Sequence, residues 1–244
     1  MTNTKTLIEG IIVPLVTPFD AEDRIDGKAI SRLVDFVISE GAEHLMPTAL
    51  TGEGPLLTED ETLEVWDKTT EAANGRTPVI PAIVSTTTRQ AVALAKAAKR
   101  LGAPAMMVAP IVPELYAGRS EDDVRGFLQD VAEAAPLPMI LFNYPSLTGV
   151  DLTPSFVAKL VKMETVAYIK ESTGDSKRVH AIHRLCGDRI EVITSLIHPK
   201  GMGFRADEEC GCKKHTGDQD QFKSLGKGIA HHISFLIVKN ITKY

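Results

Sequence analysis

Cysteine is scarce in this chain: Cys186 stands alone, and Cys210 and Cys212 lie too close together for an easy disulfide framework. That excludes a disulfide-stapled secreted scaffold and fits a reducing, cytoplasmic setting. No apolar run approaches the roughly 20 residues of a membrane span, so no membrane role is expected. Residues Met1 to Thr6 show no basic segment leading into an apolar core, and no signal peptide is expected. Positive charge is not in excess: 27 Lys and Arg face 32 Asp and Glu, for a formal net charge of −5. Nothing therefore argues for a nucleic-acid partner. Repeats and low-complexity stretches are absent as well.

What is present is ordinary for a globular protein, with 43% apolar and 24% charged residues. A length of 244 residues suits one large domain or two small ones, and α/β barrels of this size are commonly single domains.

Strand and helix signals alternate from residue 8 to about 194. Strands are expected over Ile11–Val16, His44–Leu50, Pro78–Val84, Ala105–Ala109, Met139–Asn143, Val166–Lys170 and Arg189–Thr194. Helices are expected between them. One is capped by Asp26, and another is opened by the capping box Thr58 to Glu61. Further helices cover 89–101 and 120–135, a fifth starts at Thr153-Pro154, and a sixth spans Ser176–Leu185. Strands that are apolar on both faces, alternating with helices, mean a buried parallel sheet covered by helices. A doubly wound sheet and a (β/α)8 TIM barrel both fit. Thr17-Pro18-Phe19 follows the first strand where a dinucleotide domain would carry glycines, which weighs against that domain. Polar residues gather after the strands: Thr17, Thr51, Thr86, Asn143, Lys170 and Thr194. Barrel enzymes place their chemistry at that end.

Lys170 is the residue of greatest interest. It closes the apolar run Val166-Ala167-Tyr168-Ile169 and precedes Glu171-Ser172-Thr173-Gly174. An amine at the rim of a pocket is desolvated, loses its proton more easily and becomes a nucleophile toward a carbonyl. The plain alternative is a lysine that caps a strand and reaches solvent.

Four motifs, in order and in register, resemble the dihydrodipicolinate synthase and N-acetylneuraminate lyase family. They are Gly10 to Phe19, Thr51-Gly52-Glu53, Asn143 and Pro145 with Thr148-Gly149, and Tyr168-Ile169-Lys170-Glu171. The resemblance covers roughly residues 1–194. It implies a (β/α)8 barrel and a class I aldolase or lyase, usually tetrameric. It also implies Lys170 as the imine-forming residue toward pyruvate or another 2-oxo acid, with no metal and no organic cofactor. The Thr51 hydroxyl and the N–H groups of Thr51 and Gly52 would hold the substrate carboxylate; a loop rich in free N–H groups suits an anion.

The departures from the family pattern narrow the reading. Phe142 takes the place of the family's proton-shuttling tyrosine, and a phenyl ring transfers no proton. Tyr144, two residues on, either contacts substrate, partly replaces the missing hydroxyl, or fills the rim. Its Asn-Tyr-Pro setting resembles 2-keto-3-deoxy sugar acid aldolases within the family. Leu50 stands where many members carry a relay hydroxyl, Ile111-Val112 where the synthase branch has tyrosines, and Leu147 where that branch has an arginine. Leu50 and Phe142 are therefore expected to line the substrate pocket, with Lys170 and Tyr144 catalytic.

The regular alternation stops at residue 195. Residues 195–244 resemble none of the family's usual ending, so they are treated as a separate C-terminal segment. They either close the barrel, with 233–238 as the candidate strand, or leave the gap to a neighbouring subunit, or mark a compromised protein. Cys210, Cys212 and His215 are soft-metal ligands in an unusual spacing, and no metal site is expected. His180 and His183 read as a solvated helix edge, and Trp66 as packing. Two functions follow. One is a lyase or aldolase working through a lysine imine on a keto-deoxy sugar acid or similar compound, with a dehydratase as a variant. The other is a catalytically impaired relative that only binds a 2-oxo acid. The partners expected are a small-molecule 2-oxo acid and further copies of the chain, as a tetramer or dimer.

Overall fold

The computed structural model describes residues 8–110, 120–195 and, for the backbone alone, Leu236–Val238. Strands come from the runs that can be buried on both faces. β4 (Met106–Pro110), β5 (Met139–Asn143) and β6 (Val166–Glu171) are buried at every position. With β3 (Ala82–Ser85) and β7 (Glu191–Ser195) they pair in parallel, in the order β3-β4-β5-β6-β7. β1 (Gly10–Pro14) pairs in parallel with β2 (His44–Met46). A bridge between Leu45 and Val79, with Leu45 N–H donating to Pro78 O (3.0 Å), links β2 to the β3 side of the sheet. The strands thus form a barrel.

The eighth strand departs from the all-parallel expectation. β8 (Leu236–Val238) lies between β1 and β7 and runs antiparallel to both. Two open edges have to be paired, and an antiparallel ladder pairs them as completely as a parallel one.

Side chains alternate across the wall. Ile12, Met46, Ala82, Met107, Ile140, Tyr168 and Ile193 form the interior cluster. Ile83, Val108, Leu141, Ile169 and Val192 face the helices, in a second cluster. The helices are α1 (Gly27–Ser39), α2 (Glu59–Ala73), α3 (Thr88–Arg100), α4 (Glu121–Ala134), α5 (Pro145–Thr148), α6 (Pro154–Leu160) and α7 (Ser176–Cys186). Their starts follow capping chemistry. Asp26 accepts from Ala29 N–H at 2.9 Å, and both Thr58–Glu61 and Ser120–Asp123 close reciprocal capping boxes.

Several boundaries differ from expectation for local reasons. β2 stops at Met46 because Pro47 has no N–H to donate and Thr48 turns to φ +57°. β3 begins four residues late, after Pro78 and Pro81. The short helix α5 was not expected. It has proline at its start and Gly149 in the left-handed region at its end (φ +70°), the usual asymmetry of helix termini.

Leu128, fully buried on α4, tests the outer layer. Leu128→Ala should lose about 2–5 kcal/mol of unfolding free energy, read from denaturant titration.

Candidate active site at the end of strand six

Lys170 projects into the barrel near the top of β6 and is 8% exposed. Its register neighbours are Phe142 on β5 and Ile193 on β7. The amine Nζ lies 4.5 Å from the centroid of the Phe142 ring, within cation–π distance. Among the described residues, no hydroxyl, carboxylate or carbonyl hydrogen-bonds to it. Burial disfavours its charged form and brings its pKa down from 10.5 to about 8. About one molecule in ten therefore holds a neutral amine at pH 7, far more than for a solvated lysine.

Tyr144 meets Phe142 edge-on, with ring centroids 6.2 Å apart at 73°. It caps α5 rather than extending β5, yet it still packs on the interior cluster, as does Leu50. Lys170, Phe142, Tyr144 and Leu50 thus converge on one end of the barrel interior. Leu147 lies on α5 and is 55% exposed.

Thr51 and Gly52 sit on a single 3-10 turn, Leu50–Gly52, after β2. The turn is pinned from several sides. Thr17 Oγ1 donates to Gly52 O at 2.7 Å. Trp66 Nε1 donates to Thr48 Oγ1 at 2.7 Å, and the Thr48 hydroxyl lies 2.9 Å from Ala82 O. A Cβ at Gly52 would fall 2.6 Å from Leu15 O, so only glycine fits there unstrained. Thr48 is β-branched, buried and left-handed (φ +57°), a conformation that persists only where surroundings enforce it. Gly52 N–H is already used, donating to Ala49 O at 3.0 Å. The expectation of two free amides therefore does not hold for Gly52, which serves the turn by fitting closely.

A buried polar cluster lies on the outer side of the same strands. Asn143 and Glu171 are register partners one step beyond Phe142 and Lys170, and Asn143 Nδ2 donates to Glu171 Oε2 at 2.8 Å. Asn143 Oδ1 accepts from Leu152 N–H at 3.0 Å, and Glu171 Oε1 from Thr173 N–H at 2.9 Å. Arg178 from α7 reaches Glu171 at 3.5 Å and grips Asp151 with both terminal nitrogens. The Glu171 side chain is 1% exposed, so this cation is what balances a buried charge. The cluster joins β5, β6, α7 and the loop at 151–152 around the strand positions that carry the amine and its phenyl neighbour. Sequence reading missed Arg178 and Asp151, because nothing in their spacing announces a contact.

The remaining candidates divide. Trp66 is 1% exposed and packs as expected. His180 is exposed, but His183 is partly buried. Its pKa is lowered by desolvation and then by His180, and its Nε2 has no partner among the described residues. Half of the expected solvated edge is thus tucked in. Ile111, Val112, Cys210, Cys212 and His215 lie outside the described residues. Among the described residues no group of three or more His, Cys, Asp or Glu is placed to hold a metal ion, and no helix is long and apolar enough to cross a membrane.

The family model for the dihydrodipicolinate synthetase family matches residues 7–195, the stretch that carries all of this geometry. The chain belongs to that family. It is 34% identical over 188 residues to the 4-hydroxy-tetrahydrodipicolinate synthase of Pelobacter propionicus, covering 77% of this chain and 63% of that protein. The Thermodesulfovibrio yellowstonii synthase is 35% identical with the same coverage. The dihydrodipicolinate synthase of Acinetobacter baumannii, solved with pyruvate in a chloride-inhibited form, superposes with a TM-score of 0.71 at 33% identity. The match covers 76% of this chain and 63% of that one. The Escherichia coli K12 prophage protein YagE, also solved with pyruvate, gives 0.72 at 26% identity, covering 77% and 63%. The chain therefore spans less than two thirds of the length of these family members.

Two outcomes test the site. Arg178→Met leaves Glu171 buried without its cation and should destabilise the fold by about 3–5 kcal/mol in denaturant unfolding, more than Glu171→Gln does. Lys170→Met should do the reverse. The fall from 10.5 to about 8 corresponds to about 3 kcal/mol, partly offset by about 1–2 kcal/mol from the phenyl contact. Below pH 8 both folded and unfolded lysine are protonated, and the folded state bears the full burden. Between pH 8 and 10.5 the unfolded state alone keeps the proton, so wild-type stability recovers as pH rises. Thermal melts should show Lys170→Met more stable at pH 7, with its advantage shrinking toward pH 10.

Proposed function

We propose that this chain is a lyase or aldolase that acts on pyruvate or a related 2-oxo acid through an imine on Lys170. The observation that carries the reading is the buried amine against Phe142, with its pKa lowered to about 8 by desolvation. A neutral amine attacks the ketone, and the protonated imine then draws electrons from the adjacent carbon bond. The reaction needs no metal and no organic cofactor. Two solved family members hold pyruvate, which supports a 2-oxo acid as the ligand.

The roles divide among the converging residues. Lys170 is the nucleophile. Tyr144 is the hydroxyl nearest in sequence to the place that Phe142 leaves without one, and it serves as proton donor or substrate contact. Thr51 binds the carboxylate, Gly52 lets the turn close, and Leu50 and Phe142 line the pocket. A keto-deoxy sugar acid is the substrate class we favour, by aldol cleavage or by dehydration. Residues 1–194 form the catalytic unit and 195–244 a segment that completes the ring; the position of β8 between β1 and β7 supports this. We further propose a cytoplasmic homo-oligomer, tetramer or dimer, to be checked by sedimentation.

Phe142 also favours a second reading, a relative that binds a 2-oxo acid without turning it over. One experiment separates the readings. Incubation with pyruvate and borohydride, followed by peptide mass spectrometry, should give a pyruvate-sized adduct on Lys170. Its initial rate should climb with pH and level off above about 8, following the neutral amine. Folded protein that gives no adduct speaks for neither imine chemistry nor the lyase. An adduct without turnover of any keto-deoxy acid favours the binder.

A further inference from the structure

Ile8 lies two residues before β1, yet its side chain is buried in the interior cluster with Ile12, Ile80, Ile140 and Ile193. Parallel strands of a barrel begin at its closed base, so Ile8 fills that base. Contacts on both sides of a bend hold it there. Gly10 is left-handed (φ +89°), and a Cβ on it would overlap the Glu43 carboxylate, which accepts from Ile11 N–H at 2.7 Å. Before the bend, Ile8 N–H donates to the Tyr168 hydroxyl at 2.9 Å, across 160 positions of sequence. Tyr168 is fully buried, faces inward on β6 and stands two residues below Lys170 on the same side of the strand. The layer between the amine and the base thus contains a phenol and the apolar residue that it hooks.

We propose that Tyr168 is a positioning residue for imine formation, holding Ile8 as a plug across the base of the barrel so that water does not reach Lys170 from below; this rests on the imine reading above. An amine is a nucleophile only without its proton, and water that solvates the ammonium form keeps that proton on. A buried N–H that loses its acceptor is costly, so removing the phenol oxygen releases Ile8 toward solvent and opens the base. The titratable groups facing the plug are Glu9, beside Ile8, and Glu191, the register partner of Tyr168 on β7. Burial raises the pKa of the phenol, an effect that the Ile8 hydrogen bond opposes and the two carboxylates reinforce, so the phenol keeps its proton while Lys170 titrates. Around Lys170 itself, Tyr144 packs from the rim, and Glu171 lies with Arg178 on the outer face of β6.

The test follows the rate of borohydride trapping of pyruvate against pH, in the full chain and in two variants. Tyr168→Phe removes the hook, and Ile8→Ala keeps the N–H but empties the plug. In both, the midpoint of the profile should move upward. A midpoint higher by about one pH unit leaves about tenfold fewer neutral amines at pH 7 and slows trapping there by about that factor. Raising the pH should then restore the rate, which a merely damaged fold would not allow. A second readout needs no chemistry: the carbon NMR shift of Lys170 Cε, assigned by its loss in Lys170→Met, should titrate at higher pH in both variants. If wild type traps pyruvate and the midpoints of both folded variants stay where they are, the plug is overturned and the imine reading stands. A rate lowered equally at every pH also overturns it, leaving Tyr168 a structural role alone. If wild type traps no pyruvate, the imine reading falls, and the Cε titration still decides whether the plug keeps the amine dry.

Discussion

An ammonium group deprived of water is the constraint that orders this end of the barrel. Lys170 loses its hydration to Phe142 and Ile193, and among the described residues only the face of an aromatic ring compensates it. Such a group stays buried only if the strand carrying it cannot slide or fray. The outward neighbour of that lysine is a buried glutamate, held by Asn143, Thr173 N–H and Arg178. One face of β6 therefore carries a cation met, among the described residues, by a ring face alone, while the other face carries a carboxylate held by hydrogen bonds and a guanidinium. The second arrangement makes the first sustainable, because a buried, fully partnered network specifies a single geometry.

The loop after β2 shows the same economy. Its backbone contains a left-handed β-branched threonine, which costs on the order of 1–3 kcal/mol, and it is fastened to the segment after β1, to β3 and to α2 through Thr17, Ala82 and Trp66. A loop fastened in this way has little conformational freedom left to lose.

Much of this was legible in the sequence. The alternation of doubly apolar strands with capped helices gave seven strands of the barrel, and a lysine closing an apolar strand marked the amine. Phe142 and Tyr144 were singled out by the resemblance of the Asn143 motif to the family's fifth strand. The rest was hidden for identifiable reasons. Arg178 and Asp151 are 27 residues apart and meet only through the packing of α7 against the loop after α5. The conformation of Thr48 runs against its own propensity, so no local rule finds it. The occupied Gly52 N–H follows from a 3-10 turn where the sequence suggests a strand end at Leu50 and a loop beyond it. Nor does a run of three apolar residues such as Leu236–Val238 encode which way it will point.

That direction has a geometric result. In an all-parallel barrel each connection leaves one strand at the mouth and enters the next at the opposite end. Here Ser195 pairs with Leu236 at the mouth, and Ile193 pairs with Val238 deeper in. The chain thus departs from β7 and returns to β8 on the same side as Lys170. Both anchors of residues 196–235 stand at the opening through which a substrate would pass.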